Sequence, residues 1–120
     1  MDDFTVHAGI DLRYFSDNWG PFNFDFTNLL PSGATVTACE VKAYLGAATA
    51  KSDLSTFDDI SSEIIDPDHA PAVAEDTHIN MWFKYPADTT LKGERASLVF
   101  EITTDSGAQH PFYFQSVNIV

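Results

Sequence analysis

The sequence predicts an all-β protein, an antiparallel β-sandwich of about seven strands. Three observations carry that expectation. Several short stretches alternate apolar and polar residues strictly, as half-buried strands do. Clusters of Gly, Pro, Asp and Asn separate them. No stretch with a sustained helical period lies between strands, which argues against an α/β arrangement. A length of 120 residues fits one domain, and sixteen aromatics (ten Phe, four Tyr, two Trp) are available to fill its core.

The charge balance narrows the partners. Eighteen acids against six bases give a formal net charge of −12. Phosphate backbones require clustered Lys and Arg, so no nucleic acid is expected, and repulsion from anionic lipid headgroups argues against a membrane surface. No apolar run reaches the length of a membrane span, and Met1-Asp2-Asp3 does not open a secretory signal. Cys39 is the single cysteine, so an intrachain disulfide is excluded and a reducing compartment such as the cytosol is expected.

The elements follow in order. Residues 1–21 form an N-terminal arm. Phe4, Val6, Ala8, Ile10 and Leu12 alternate with polar or small residues, and Asp17-Asn18-Trp19-Gly20-Pro21 ends the stretch. The arm either folds back on its own domain or packs on a neighbouring subunit, where aromatic residues favour interface cores. Phe22-Asn23-Phe24-Asp25-Phe26-Thr27 is the clearest strand, with three Phe on one face. Pro31 and Gly33 then suit the second and fourth positions of a type I turn. Ala34 to Leu45 is the next strand, and a change of parity near Cys39-Glu40 predicts a bulge. Cys39 there is most simply a small buried residue, with a reactive thiol as the alternative.

Residues 46–77 carry weaker patterns. A loop or short helical turn is expected first, then a short strand at Ser62 to Ile65, with Pro67 and Pro71 excluding a central strand beyond it. Thr77 to Tyr85 is a strand whose Ile79, Met81 and Phe83 share one face and whose Trp82 lies on the other. The chain closes with a hairpin. Ala96, Leu98, Phe100 and Ile102 alternate with a mixed face, Asp105-Ser106-Gly107 turns, and His110 to Val120 returns.

Chemistry-bearing motifs are sparse. The acids between Asp53 and Asp76 offer oxygens to calcium but lack the D-x-[DN]-x-[DN]-G pattern, so a solvated acidic loop is the simpler reading. His7, His69, His78 and His110 show no zinc-ligand spacing. No nucleophile elbow, P-loop or dinucleotide glycine pattern occurs. The expectation is a non-enzyme with no catalytic residues, no metal and no cofactor. Trp19, Trp82, Tyr85 and Tyr113 also raise the alternative of a sugar-stacking, carbohydrate-binding or adhesive module.

Three blocks resemble the phage fiber-tail adaptor proteins, which are immunoglobulin-like virion components. They are Phe24 to Val36, with Leu29-Leu30-Pro31-Ser32-Gly33 between two strands; Ile79-Asn80-Met81-Trp82-Phe83; and Leu98 to Phe114 with Glu101-Ile102-Thr103-Thr104-Asp105-Ser106-Gly107. The resemblance covers residues 22–120, and residues 1–21 have no counterpart in it. It implies an immunoglobulin-like β-sandwich over 22–120 acting as an adaptor or connector at the head-tail or tail-fiber region. Such a protein would be made in the host cytoplasm and built into the virion beside other virion proteins, in a symmetric ring of copies. The candidate interface is Phe4, Tyr14, Phe15, Trp19, Phe22 and Trp82. An arm that only clasps a neighbour predicts that removing residues 1–20 spares folding and abolishes assembly.

Overall fold

The computed structural model describes residues 4–5, 10–12, 19–48, 51–105 and 113–120. Within them the chain forms eight strands: β1 (Phe4–Thr5), β2 (Ile10–Leu12), β3 (Trp19–Asp25), β4 (Val36–Leu45), β5 (Ala72–Ala74), β6 (His78–Phe83), β7 (Arg95–Thr104) and β8 (Tyr113–Ile119). One sheet has the order β1-β8-β7-β4, with β2 also paired to β8, and the other has the order β3-β6-β5. With β3 to β8 taken as strands B to G, the sheets are B-E-D and C-F-G, the arrangement of an immunoglobulin sandwich. The chain has no second cysteine to supply the inter-sheet disulfide of antibody domains, so the sheets are joined without a covalent cross-link between them.

The packing between the sheets is aromatic. Phe24, Phe26, Ile79, Met81 and Phe83 from the smaller sheet and its flank meet Leu98, Phe100, Ile102, Tyr113 and Val117 from the larger. The Phe24 and Phe100 rings lie 4.9 Å apart, and Phe26 sits 5.2 Å from Phe100 and 5.1 Å from Tyr113. The Tyr113 hydroxyl donates to Leu29 O at 3.3 Å, giving the buried phenol a partner. One buried group is left over. Gln115 is fully enclosed on β8 and its Oε1 has no hydrogen-bond partner among the described residues. An unsatisfied buried carbonyl costs roughly 1–3 kcal/mol, so Gln115→Met is expected to raise stability by about 1 kcal/mol in a denaturant titration.

The strands fall largely where alternation places them, and the differences have physical causes. β3 begins at Trp19, so the expected boundary between residues 21 and 22 lies inside a strand. Pro21 is accommodated because β3 is an edge strand and its register with β6 shifts between Trp19 and Phe22. The first strands take the fold-back alternative for the arm. β1 and β2 run parallel to β8 within the otherwise antiparallel sandwich, and Ile10 and Leu12 are core residues. These parts of residues 1–21 belong to the sandwich.

In β4 the register shifts between Val36 and Ala38, earlier than the parity change read near Cys39-Glu40. Val36 is buried before the bulge, and Cys39, Val41, Ala43 and Leu45 face the core after it. The preceding turn runs from Pro31 to Ala34, closed by Ala34 N–H donating to Pro31 O at 3.0 Å. Gly33, at φ 78°, therefore takes the third position of a type II turn, not the fourth of a type I.

The strand expected at Ser62 to Ile65 is one helical turn, Ser61–Ile64. Asp59 starts it by accepting from the Ser61 N–H at 2.9 Å and the Ser61 hydroxyl at 2.6 Å. Residues 46–48 and the loop around Leu54 and Phe57 lie over the outer side of the larger sheet. Ser97 Oγ donates to Gly46 O at 2.8 Å and accepts from Ala48 N–H at 2.9 Å. Ala48, Val99 and Phe114 are buried there under Tyr44, Leu54 and Phe57. This cover explains why Ala96 to Phe100 is buried on both faces, where the sequence shows one apolar and one mixed face. Gly46 allows the close approach: at φ 125°, a side-chain carbon on it would lie 3.2 Å from the Phe57 ring.

Candidate interaction surfaces

Two surfaces concentrate charged and polar side chains on rigid strands. The first is the outer face of the larger sheet beside its edge strand, β4. Antiparallel pairing sets Glu40 directly opposite Glu101, Lys42 opposite Val99 and Tyr44 opposite Ser97. Leu54 from the covering loop closes one side, and Glu40, Lys42, Tyr44, Leu54, Val99 and Glu101 line a groove of about 200 Å³. Lys42 Nζ lies 3.3 Å from Glu40 Oε1. A hydrogen bond from Lys42 to Glu40, reinforced by the carboxylate charge, raises the ammonium pKa. Like charges directly opposite one another in a ladder repel, so the Glu40–Glu101 pair leaves the groove acidic despite Lys42.

The edge beside this groove is closed at both ends. Ala43 N–H donates to Ser61 Oγ at 2.8 Å, Ala43 O accepts from Ile60 N–H at 2.8 Å, and Leu45 N–H donates to Asp58 O at 2.8 Å. At the other end Val36 N–H donates to Asp76 O at 2.7 Å. Asp59, which holds this cover, has a lowered pKa. Partial burial raises it, but the two bonds from Ser61 and the Lys42 charge outweigh burial. The unfolded chain thus binds a proton more readily, and the contribution of Asp59 to stability is present above its unfolded pKa and lost as pH falls through the folded one.

The second surface is the outer face of the smaller sheet. Asn23, Asp25, His78, Asn80 and Trp82 share it by parity. Asn23 Nδ2 donates to Asn80 Oδ1 at 2.7 Å, and Asn23 Oδ1 lies 2.7 Å from His78 Nδ1. His78 Nε2 faces Asp25 Oδ1 at 3.5 Å and Glu75 Oε2 at 3.9 Å. At the end of β6, residues 64–66 run beside 82–84: Asp66 N–H donates to Trp82 O and Lys84 N–H donates to Ile64 O, each at 3.0 Å. This seats Asp66, whose side chain is fully buried, 2.7 Å from His69 Nδ1. The His69 ring stacks on Trp82 at 4.4 Å and 21°. The Asp68 N–H also donates to Asp66 at 2.9 Å, so one carboxylate fixes the turn that lays His69 on the indole.

Of the expected interface residues, those described lie on β1, β3 and β6. Phe4 lies in β1 opposite Tyr113, and Trp19 opens β3 opposite Phe83. Tyr14 and Phe15 lie outside the described residues. Phe22 is partly buried. Its ring is 5.0 Å from Phe24 and 6.0 Å from Phe83, so it packs on the core. Trp82 faces outward as its parity requires, but His69 occupies one side of its ring. Among the described residues, no group of three or more His, Cys, Asp or Glu side chains could hold a metal ion.

Sequence reasoning missed Glu40, Glu101, Asp66 and His69. Asp66-Pro67-Asp68 carried a legible turn signal, whereas the Glu40–Glu101 register depends on tertiary pairing. Cys39 is mostly buried, and burial, with the adjacent Glu40 charge, pushes its thiol up to about 12. The thiolate is the reactive form, so alkylation by iodoacetamide at pH 8 should run about a thousandfold slower than for an exposed cysteine. A thiol count over time checks this.

Comparison with protein-family models, curated proteins and solved structures found no match to this chain.

Proposed function

We propose that this chain is a non-enzymatic structural adaptor, a phage or prophage virion component that joins other virion proteins at the head-tail or tail-fiber region. The observation that supports this reading best is the open, charged edge of β4. A rigid sandwich holds there, in fixed register, the two kinds of group that protein contacts use: backbone hydrogen-bonding positions and a groove with opposed carboxylates. The resemblance of residues 22–120 to the fiber-tail adaptors gives that surface a setting. The protein is made in the host cytoplasm, stays soluble through its −12 charge, and docks in several copies around a symmetric ring by heterologous contacts.

A glycan-binding module would need an open aromatic face, and His69 stacked on Trp82 occupies part of the best candidate. The protein-contact reading is therefore preferred.

Deleting the gene from an inducible phage tests it. Electron microscopy is expected to show particles halted without fibers or without a complete tail, with infectivity restored by supplying the protein in trans. Normal, infectious particles from the deletion strain would contradict the reading.

A further inference from the structure

We infer that the edge of β4 between Ala38 and Lys42 is a strand-addition site for a short, extended, basic segment of a partner protein. The inference rests on the protein-contact reading above and names the chemistry of the partner.

The backbone defines the site. Ala43 and Leu45 direct their backbone groups away from β7, toward residues 58–61. By the two-residue repeat of a strand, Cys39 and Val41 direct theirs the same way. β5 comes near β4 but does not pair with it, and among the described residues only 58–61 and Asp76 bond β4 away from β7. The stretch is bounded by the Val36–Asp76 bond at one end and the residue 58–61 cover at the other, so it accepts a segment of only about five residues. The competing edges are poorer. β5 has three residues, and β3 carries Pro21, which has no N–H to give, and a bulge.

Charge selects the occupant. A segment laid against β4 places alternate side chains over the outer face, beside Glu40 and Lys42. Glu40 and Glu101 oppose one another there, and among the described residues Lys42 is the cation that lies against them, 3.3 Å from Glu40. A long cationic side chain opposite Glu40 reaches these carboxylates while its methylenes lie on Leu54 and Val99 in the groove. A second copy of this chain fits less well. Each copy carries −12, and pairing two β4 strands about Val41 would set Cys39 against Ala43, whose N–H and C=O are already bonded.

Amide exchange by NMR on the full-length protein provides the test. In the free protein the Cys39 and Val41 amides are expected to exchange fast and those of Glu40 and Lys42 slowly, because only the latter point into the ladder. The probe is a short capped peptide alternating threonine and arginine, beside the same peptide with glutamate for arginine and an analogue N-methylated along its backbone. The arginine peptide should slow exchange at Cys39 and Val41 by about tenfold or more, and neither control should do so. The double variant Glu40→Gln, Glu101→Gln should weaken binding by about tenfold while leaving exchange elsewhere in the ladder unchanged. Slow exchange at Cys39 and Val41 in the free protein would overturn the inference. So would equal binding of the N-methylated peptide, shifts centred on another edge, or no binding at all. Because the probe is synthetic, these failures would leave the virion reading to be judged on the deletion phenotype alone.

Discussion

Phe100→Ala is expected to lower the stability of this protein by about 3–5 kcal/mol, the usual range for emptying a buried phenylalanine site. Phe100 is fully buried on the central strand of the larger sheet, and its ring touches both Phe24 and Phe26 from the other side of the sandwich. It is the residue through which the two sheets grip each other in a chain that has no disulfide to share the load. A domain of this size has a total stability of only about 5–15 kcal/mol, so the loss is a large fraction of it. The melting temperature should fall by roughly 15 °C. Phe100→Leu keeps most of the volume and should cost no more than about 2 kcal/mol. Urea titrations of the three proteins measure both differences. A loss below about 1 kcal/mol for Phe100→Ala would mean that the sheets do not meet there.

The second large effect concerns the first twelve residues. Ile10 and Leu12 are buried, and their strand pairs in parallel with the end of β8. Val120 N–H also donates to Leu12 O at 2.9 Å. Leu12→Ala is expected to cost about 2–4 kcal/mol. Deleting residues 1–12 removes both side chains and the ladder, and uncovers Val117 and Ile119. The truncated protein should therefore melt far below the full chain or fail to fold. An arm acting only as a clasp would give the opposite result, a truncated protein with an unchanged melting curve. Circular dichroism melts of the full chain, Leu12→Ala and the truncation separate the two outcomes.

Much of the sandwich was legible because a strand with one buried face writes its register into the sequence. Phe22, Phe24 and Phe26 against Asn23, Asp25 and Thr27, and Ile79, Met81 and Phe83 against His78, Asn80 and Trp82, each mark a single face. The pattern fails where other forces decide. β5 is Ala72-Val73-Ala74, too short for a period and defined by its pairing with β6. Ile64 and Ile65 favour a strand, yet the bonds from Ser61 to Asp59 start a helical turn that buries Ile64 instead. Ile10 and Leu12 alternate correctly, but nothing local says that their partner is the far end of the chain. The same limit applies to the surfaces. Glu40 meets Glu101, and His69 meets Trp82, only through tertiary pairing, so their chemistry could not be read from spacing.

Peptide mass spectrometry on purified phage particles, from an induced culture of the source organism, tests the central claim most directly. The adaptor account predicts peptides from this chain, such as those spanning Ala96 to Phe114, at a fixed ratio to the major tail proteins in every preparation. Particles that form normally and lack the protein, while it is abundant in the surrounding lysate, would show that it is not a virion component.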